Sequence, residues 1–201
     1  VDMMKVANIL DCHTVDENVS LVVGPGSKQV LNMIAENGAL SKMIAAGARI
    51  IESGCGPCIG MGQSPANNAV SLRTINRNFE GRCGIVSAGV YLVSPEIAAV
   101  SAIKGYITDP REFGEALTVE MPEKFLINDN LIVKPAENGE EVEVVRGPNI
   151  KPFPAAEALK DTVEGKVLIK VVDNITTDHI MPSNAKLLPY RSNVPYLSNY
   201  C

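Results

Sequence analysis

The sequence predicts an α/β protein with a mostly parallel sheet, on three observations. A β-branched run at 19–23 gives way to Gly24-Pro25-Gly26-Ser27 and then to a helical apolar period over 28–46. A second apolar run follows at 48–52, and Ser94-Pro95-Glu96 opens an Ala- and Ile-rich stretch reaching Ile103. Strand alternating with helix implies parallel strands joined by crossovers, with functional loops at the carboxyl ends of strands.

Taken in order, residues 1–10 carry apolar side chains at helical spacing (Val1, Met4, Val6, Ala7, Leu10) and break at Asp11-Cys12-His13-Thr14. The run 19–23 is a short strand. Ser27 is a natural N-cap for the helix that follows, Gly38 interrupts that helix, and Gly47 stops it. Residues 48–52 form a second strand running into a cysteine loop, and 85–90 a weaker one. In the helix at 94–103, Ser94 is the cap, Pro95 lies in the first turn and Glu96 sits at the positive end, with Lys104-Gly105 as the stop. From 106 to 164 prolines at 110, 122, 135, 148, 152 and 154 and acidic runs replace any helical period, which reads as a tether. Residues 165–172, Gly-Lys-Val-Leu-Ile-Lys-Val-Val, then start a strand of a second domain. The expected organisation is therefore 1–105, a linker at 106–164, and 165–201.

The 201 residues, 46% hydrophobic and 20% charged, suffice for one sizeable core or two modest ones. A formal charge of -5 with dispersed Lys and Arg, 4% aromatic residues and no Trp argue against a nucleic-acid partner. The apolar runs are too short to cross a bilayer, and no basic-then-apolar leader opens the sequence. Five cysteines, only two at a suggestive spacing, fit a reducing compartment better than a disulfide framework, so the expected location is cytoplasmic.

Three runs could carry chemistry. In Ser53-Gly-Cys-Gly-Pro-Cys-Ile-Gly60, Cys55 and Cys58 place two thiolates close enough for one soft metal centre, and the glycines let the backbone fold tightly. The spacing alone leaves zinc, a dithiol redox pair, a cluster or inert packing open. Zinc would want a second pair, which Cys12, Cys83 and Cys201 do not make; a thioredoxin-like pair usually follows an aromatic residue, where Gly54 stands here. In the run 71–82, Arg77 and Arg82 flank a turn at Gly81, and guanidinium forks suit carboxylates; Asn76 and Asn78 make a polar pocket more plausible than solvated surface charge. In Asp173-Asn-Ile-Thr-Thr-Asp-His-Ile-Met-Pro182, Asp178 and His179 could orient water or substrate, and serve equally as helix-capping neighbours. Arg191 follows a little later, while Cys12, His13 and Cys83 have no informative companions.

Gly-Cys-Gly-Pro-Cys-Ile-Gly-Met, Asn-Arg-Asn-Phe-Glu-Gly-Arg and Asn-Ile-Thr-Thr-Asp-His-Ile, in that order, resemble the aconitase and isopropylmalate isomerase superfamily. The resemblance implies part of the family's α/β/α iron-sulfur domain, a linker, and the start of a β/β/α swivel domain. It implies a hydro-lyase with a [4Fe-4S] cluster held by three cysteines, whose open iron acts as a Lewis acid. By position Cys55 and Cys58 match two cluster ligands, and Asn76, Arg77 and Arg82 match residues lining the substrate pocket. Asp178 matches an active-site acid of the swivel domain, with His179 beside it, and Arg191 that domain's substrate arginine.

The family's remaining cluster cysteine, in a Gly-Ser-Cys-Thr-Asn motif, is expected upstream of Val1, and the Ser-Ser-Arg-Glu loop bearing the base beyond Cys201. The chain by itself is therefore expected to be inactive, with the remainder of a parent enzyme as its partner. Because both domains are fused, the favoured reaction is isomerisation of a tricarboxylic acid, citrate to isocitrate through cis-aconitate, as in the tricarboxylic acid cycle; homoaconitate or isopropylmalate isomerisation is the alternative. An RNA-binding relative and a dithiol redox module are the rivals from other classes.

Overall fold

The computed structural model describes residues 1–130, 132–183 and 186–200, and they divide into two compact units, 1–133 and 134–201. Cys201, the fifth cysteine, lies outside the described residues.

Unit 1 opens with helix α1 (Asp2–Leu10), whose Val6, Ala7, Ile9 and Leu10 are buried. Strand β1 (Val22–Val23) leads to α2 (Lys28–Glu36), capped by Ser27 Oγ accepting from Val30 N at 3.1 Å. The expected single helix over 28–46 is two: Gly38, at φ 83°, ends one and caps α3 (Ala39–Ala45). That left-handed backbone suits glycine and turns the chain between the two helices. Strand β2 (Arg49–Ile50) lies parallel to β1, with Val22 opposite Arg49 and Val23 opposite Ile50. The β1–α2–α3–β2 passage is thus the crossover that a parallel pair requires.

A second parallel pair joins β3 (Val70–Arg73) to β4 (Gly89–Leu92) in the register Val70–Gly89 through Arg73–Leu92. β3 has no counterpart among the sequence expectations, and the weak strand expected at 85–90 is displaced to 89–92. Helix α4 (Pro95–Lys104) begins as expected: Ser94 Oγ accepts from Ile97 N, Pro95 occupies the first turn and Gly105 ends the helix at φ 80°. The core forms where α1 packs against α3 and α4, with Leu10, Met43 and Val100 fully enclosed. Each such side chain contributes about 1.5–3 kcal/mol by leaving water.

An ion pair, Lys5 Nζ to Glu96 Oε1 at 2.6 Å, ties α1 to α4. The hydrogen bond from Lys5 holds the Glu96 carboxyl below its ordinary value of 4.5, and the Arg111 guanidinium holds Asp109 at about 2. A depressed carboxylate stabilises the fold above its unfolded pKa and loses that contribution as pH falls through its folded one. Melting temperature is therefore expected to fall as pH drops from about 4.5 towards 2, and Glu96→Gln to flatten the upper part of that decline. Thermal melts at stepped pH check it.

In unit 2 the described residues form short elements only: a 3-10 turn at Gly139–Glu141, α5 (Thr177–Ile180), a turn at Leu188–Tyr190, α6 (Val194–Leu197) and a 3-10 turn at Ser198–Tyr200. The strand expected at 165–172 is not formed; Val167, Leu168, Ile169 and Val172 stand exposed. An alternating or continuous apolar run becomes a strand only when another backbone completes its hydrogen-bond ladder, and no described segment pairs with this one. Among the described residues no helix is long and apolar enough to cross a membrane.

Candidate cluster site

Two loops of unit 1 leave the carboxyl ends of parallel strands, where an open α/β sheet gathers its functional groups. One follows β2 and carries the cysteines. Gly56 precedes a single 3-10 turn, Pro57–Ile59, closed by Gly60 N donating to Pro57 O at 3.1 Å. Proline at the turn's first position needs no hydrogen-bond partner for its nitrogen, and Gly60 takes the left-handed conformation that ends it, φ 84°. Cys55 is exposed and Cys58 half-buried, and their sulfurs stand 3.8 Å apart without a bond.

Gly60 also passes against the loop after β3. A side chain there would place its Cβ 2.3 Å from Cys83 O. Cys83 is buried, and its carbonyl accepts from Ser64 Oγ at 2.9 Å. The fourth described cysteine, Cys12, is exposed.

The second loop is the 74–88 connection between β3 and β4. Asn76 and Arg77 lie exposed on it, and Arg82, half-buried, points Nη2 at Cys58 Sγ over 3.9 Å while its guanidinium covers the Phe79 ring at 5.5 Å. The structure therefore gathers Cys55, Cys58 and Arg82, and sets Asn76 and Arg77 on the same loop as Arg82.

Two arginines that the sequence did not single out tie the cysteine loop to the strands on either side of it. Arg73, ending β3, donates from Nη1 to Pro57 O (2.5 Å), from Nη2 to Gln63 O (3.3 Å) and from Nε to Ser71 Oγ (3.2 Å). Arg49, in β2, donates from Nη2 to Gly62 O (2.6 Å) and Gln63 Oε1 (2.5 Å). The available signal was the alternation Val70-Ser71-Leu72-Arg73, a short strand hidden inside an arginine-rich run.

Asp178, His179 and Arg191 belong to unit 2. Asp178 is half-buried in the first turn of α5. His179 Nδ1 accepts from Thr176 N at 3.0 Å, so the neutral ring carries its proton on Nε2 and the histidine itself caps the helix. Arg191 is exposed.

A tetrahedral centre with metal–sulfur bonds of about 2.3 Å sets two sulfurs about 3.8 Å apart, and an established disulfide would hold them near ~2 Å. Unbonded, outward-facing thiols with a guanidinium beside one of them suit soft-metal ligation and the anionic charge of a thiolate-bound centre. Among the described residues no third Cys, His, Asp or Glu joins them. That spacing matches two thiolates on one shared metal ion, whereas in a [4Fe-4S] cluster each thiolate takes a different iron and the two sulfurs stand farther apart.

The profile of the aconitase family (aconitate hydratase) matches residues 1–105. A 3-isopropylmalate dehydratase large subunit of Archaeoglobus fulgidus is 43% identical over 113 residues, 56% of this chain and 27% of that protein. A mitochondrial homoaconitase of Debaryomyces hansenii is 34% identical over 199 residues, 96% of this chain and 27% of that protein. A homoaconitase large subunit of Thermus thermophilus is 44% identical over 115 residues, 57% of this chain and 28% of that protein. The chain spans about a quarter of the length of the curated relatives it matches.

Proposed function

The chain belongs to the aconitase family, and from that premise we propose that it is a stretch of an iron-sulfur hydro-lyase in which Cys55 and Cys58 supply two of the cluster's thiolates. The observation that carries this is the unbonded thiol pair, with Arg82 beside it, in the part of the chain that the family profile matches. When bound, a [4Fe-4S] cluster with an open iron would supply Lewis-acid polarisation of a substrate hydroxyl.

The chain's own residues bind and orient. Arg77 and Arg82 offer guanidinium forks to substrate carboxylates, and Asn76 a neutral amide. Arg82's stacking on Phe79 restrains its rotamers, so less freedom is lost when it binds an anion. Asp178, beside the capped turn at Thr176, is the acid in this reading, and Arg191 a further carboxylate ligand. His179, whose Nδ1 is engaged by the Thr176 amide, acts by shaping that turn, with Nε2–H left to face outward chemistry. Residues 1–105 are proposed as the iron-sulfur domain, 106–164 as the tether and 165–201 as the start of the swivel domain, with the rest of the enzyme completing the site. The profile's end at residue 105 supports the first boundary.

The preference for citrate has less support than its alternative. It rested on the fusion of the two domains, yet homoaconitases of Debaryomyces hansenii and Candida albicans align with 96% and 90% of this chain, both units included. Fusion therefore selects no substrate, and the place in the tricarboxylic acid cycle loses its support with it. The relatives favour the alternative, homoaconitate or isopropylmalate isomerisation, and those aligning across both units favour homoaconitate. Turnover of the complete enzyme on citrate, homoaconitate and isopropylmalate, compared by kcat/KM, tests this. The expected result is a preference of at least about tenfold for homoaconitate; a preference for citrate would overturn it.

A further inference from the structure

Arg73, at the end of β3, bonds the cysteine loop on both sides of its turn, and we propose that it is a positioning residue for the cysteine pair. It locks the turn bearing Cys58 in the geometry that lets both thiolates reach one metal centre.

Its three hydrogen bonds bear on one loop. Pro57 O belongs to the peptide whose nitrogen is Cys58's own, so holding that carbonyl orients the peptide plane from which the Cys58 side chain departs. Gln63 O lies beyond the turn, so the same guanidinium closes the 57–63 loop from both sides. Pro57 O also takes the Gly60 amide, and both of its lone pairs are thereby engaged. The third bond, to Ser71 Oγ, fixes the guanidinium against its own strand.

Half-buried Arg73 has no carboxylate partner among the described residues. Its acceptors are two backbone carbonyls and a hydroxyl, an arrangement that spends a charged fork on backbone geometry. Lysine keeps the charge and loses the fork: one ammonium cannot hold Pro57 O, Gln63 O and Ser71 Oγ in a plane.

The inference rests on the cluster reading for its biological sense, but its test needs only the two thiols. The 201-residue chain, reduced, is titrated with Cd2+ while sulfur-to-metal charge-transfer absorbance is followed. Cys55→Ser sets the level for a broken pair. Arg73→Lys and Arg73→Met are both expected to weaken binding about tenfold, the worth of one charge-assisted hydrogen bond, with unchanged melting temperature and with buried Cys83 still protected from alkylation. Charge alone predicts the opposite for Arg73→Met, because removing a cation beside the site would tighten Cd2+ binding. Wild-type affinity in Arg73→Lys, tighter binding in Arg73→Met, or a wild-type affinity that Cys55→Ser leaves unchanged overturns the proposal. So does a lowered melting temperature or exposure of Cys83, which would make Arg73 a general prop of the fold. Failure of the cluster reading shows separately, as loss of iron and sulfide in the complete enzyme, with the Cd2+ result intact.

Discussion

Changing Cys58 to serine in the complete enzyme is expected to lower turnover by more than roughly a thousandfold, because a hydroxyl is a poor ligand for a soft metal centre. The fold should be nearly indifferent to it. Cys58 is half-buried on a 3-10 turn held by backbone bonds and by Arg73, and its sulfur fills no part of the α1–α3–α4 core. Cys83→Ser is the matching control with the opposite signature. Cys83 is 2% exposed, so a buried hydroxyl there should lower the melting temperature. Cys83 is not one of the proposed cluster ligands, so activity per folded molecule should change little. Equal losses of activity at the two positions would contradict the assignment of the paired cysteines.

Gly60→Ala is the second large effect. The new Cβ would stand 2.3 Å from Cys83 O and 3.0 Å from Cys83 C, both backbone atoms, at φ +84°. Neither the carbonyl nor the turn can yield without separating the two loops, and the cost is roughly 3 kcal/mol or more. Gly62→Ala isolates the cause. Gly62 has nearly the same φ, +79°, but nothing within 4 Å of its Cβ position, so it should cost only the left-handed backbone term, about 1 kcal/mol. Chemical denaturation of both variants measures the difference; similar losses would mean that the close approach of the loops carries no weight.

Much of unit 1 could be read from local chemistry. Ser27 and Ser94 accept the amides expected of helix caps, and the paired runs at 19–23 and 48–52 become a parallel pair across a helical crossover. These features were legible because each is set by residues within one turn or by a repeating period. β3 escaped because its four residues alternate too briefly to separate from the arginine run, and with it went Arg73. A bond from residue 73 to residue 57 leaves no trace in either segment's periodicity. Residues 165–172 failed in the other direction: the apolar pattern is strong, but pattern specifies a face and not the partner backbone that makes a strand.

The site divides along the same line. The spacing of Cys55 and Cys58 announced a pair, and the structure adds that the thiols stand side by side with Arg82 against one of them. His179, beside Asp178, accepts from the Thr176 amide, the helix-end role that the sequence allowed equally with a part in orienting water or substrate. Residue types that satisfy a helix end serve a reaction as readily, so sequence proximity there does not choose between the two.

Cys55 and Cys58 are the proposed cluster ligands of a hydro-lyase. Iron and acid-labile sulfide, measured on the complete enzyme after anaerobic reconstitution, test it most directly. About four of each per chain are expected, and loss of both in Cys58→Ser. Zinc without sulfide, or a Cys55–Cys58 disulfide in place of any metal, would contradict it.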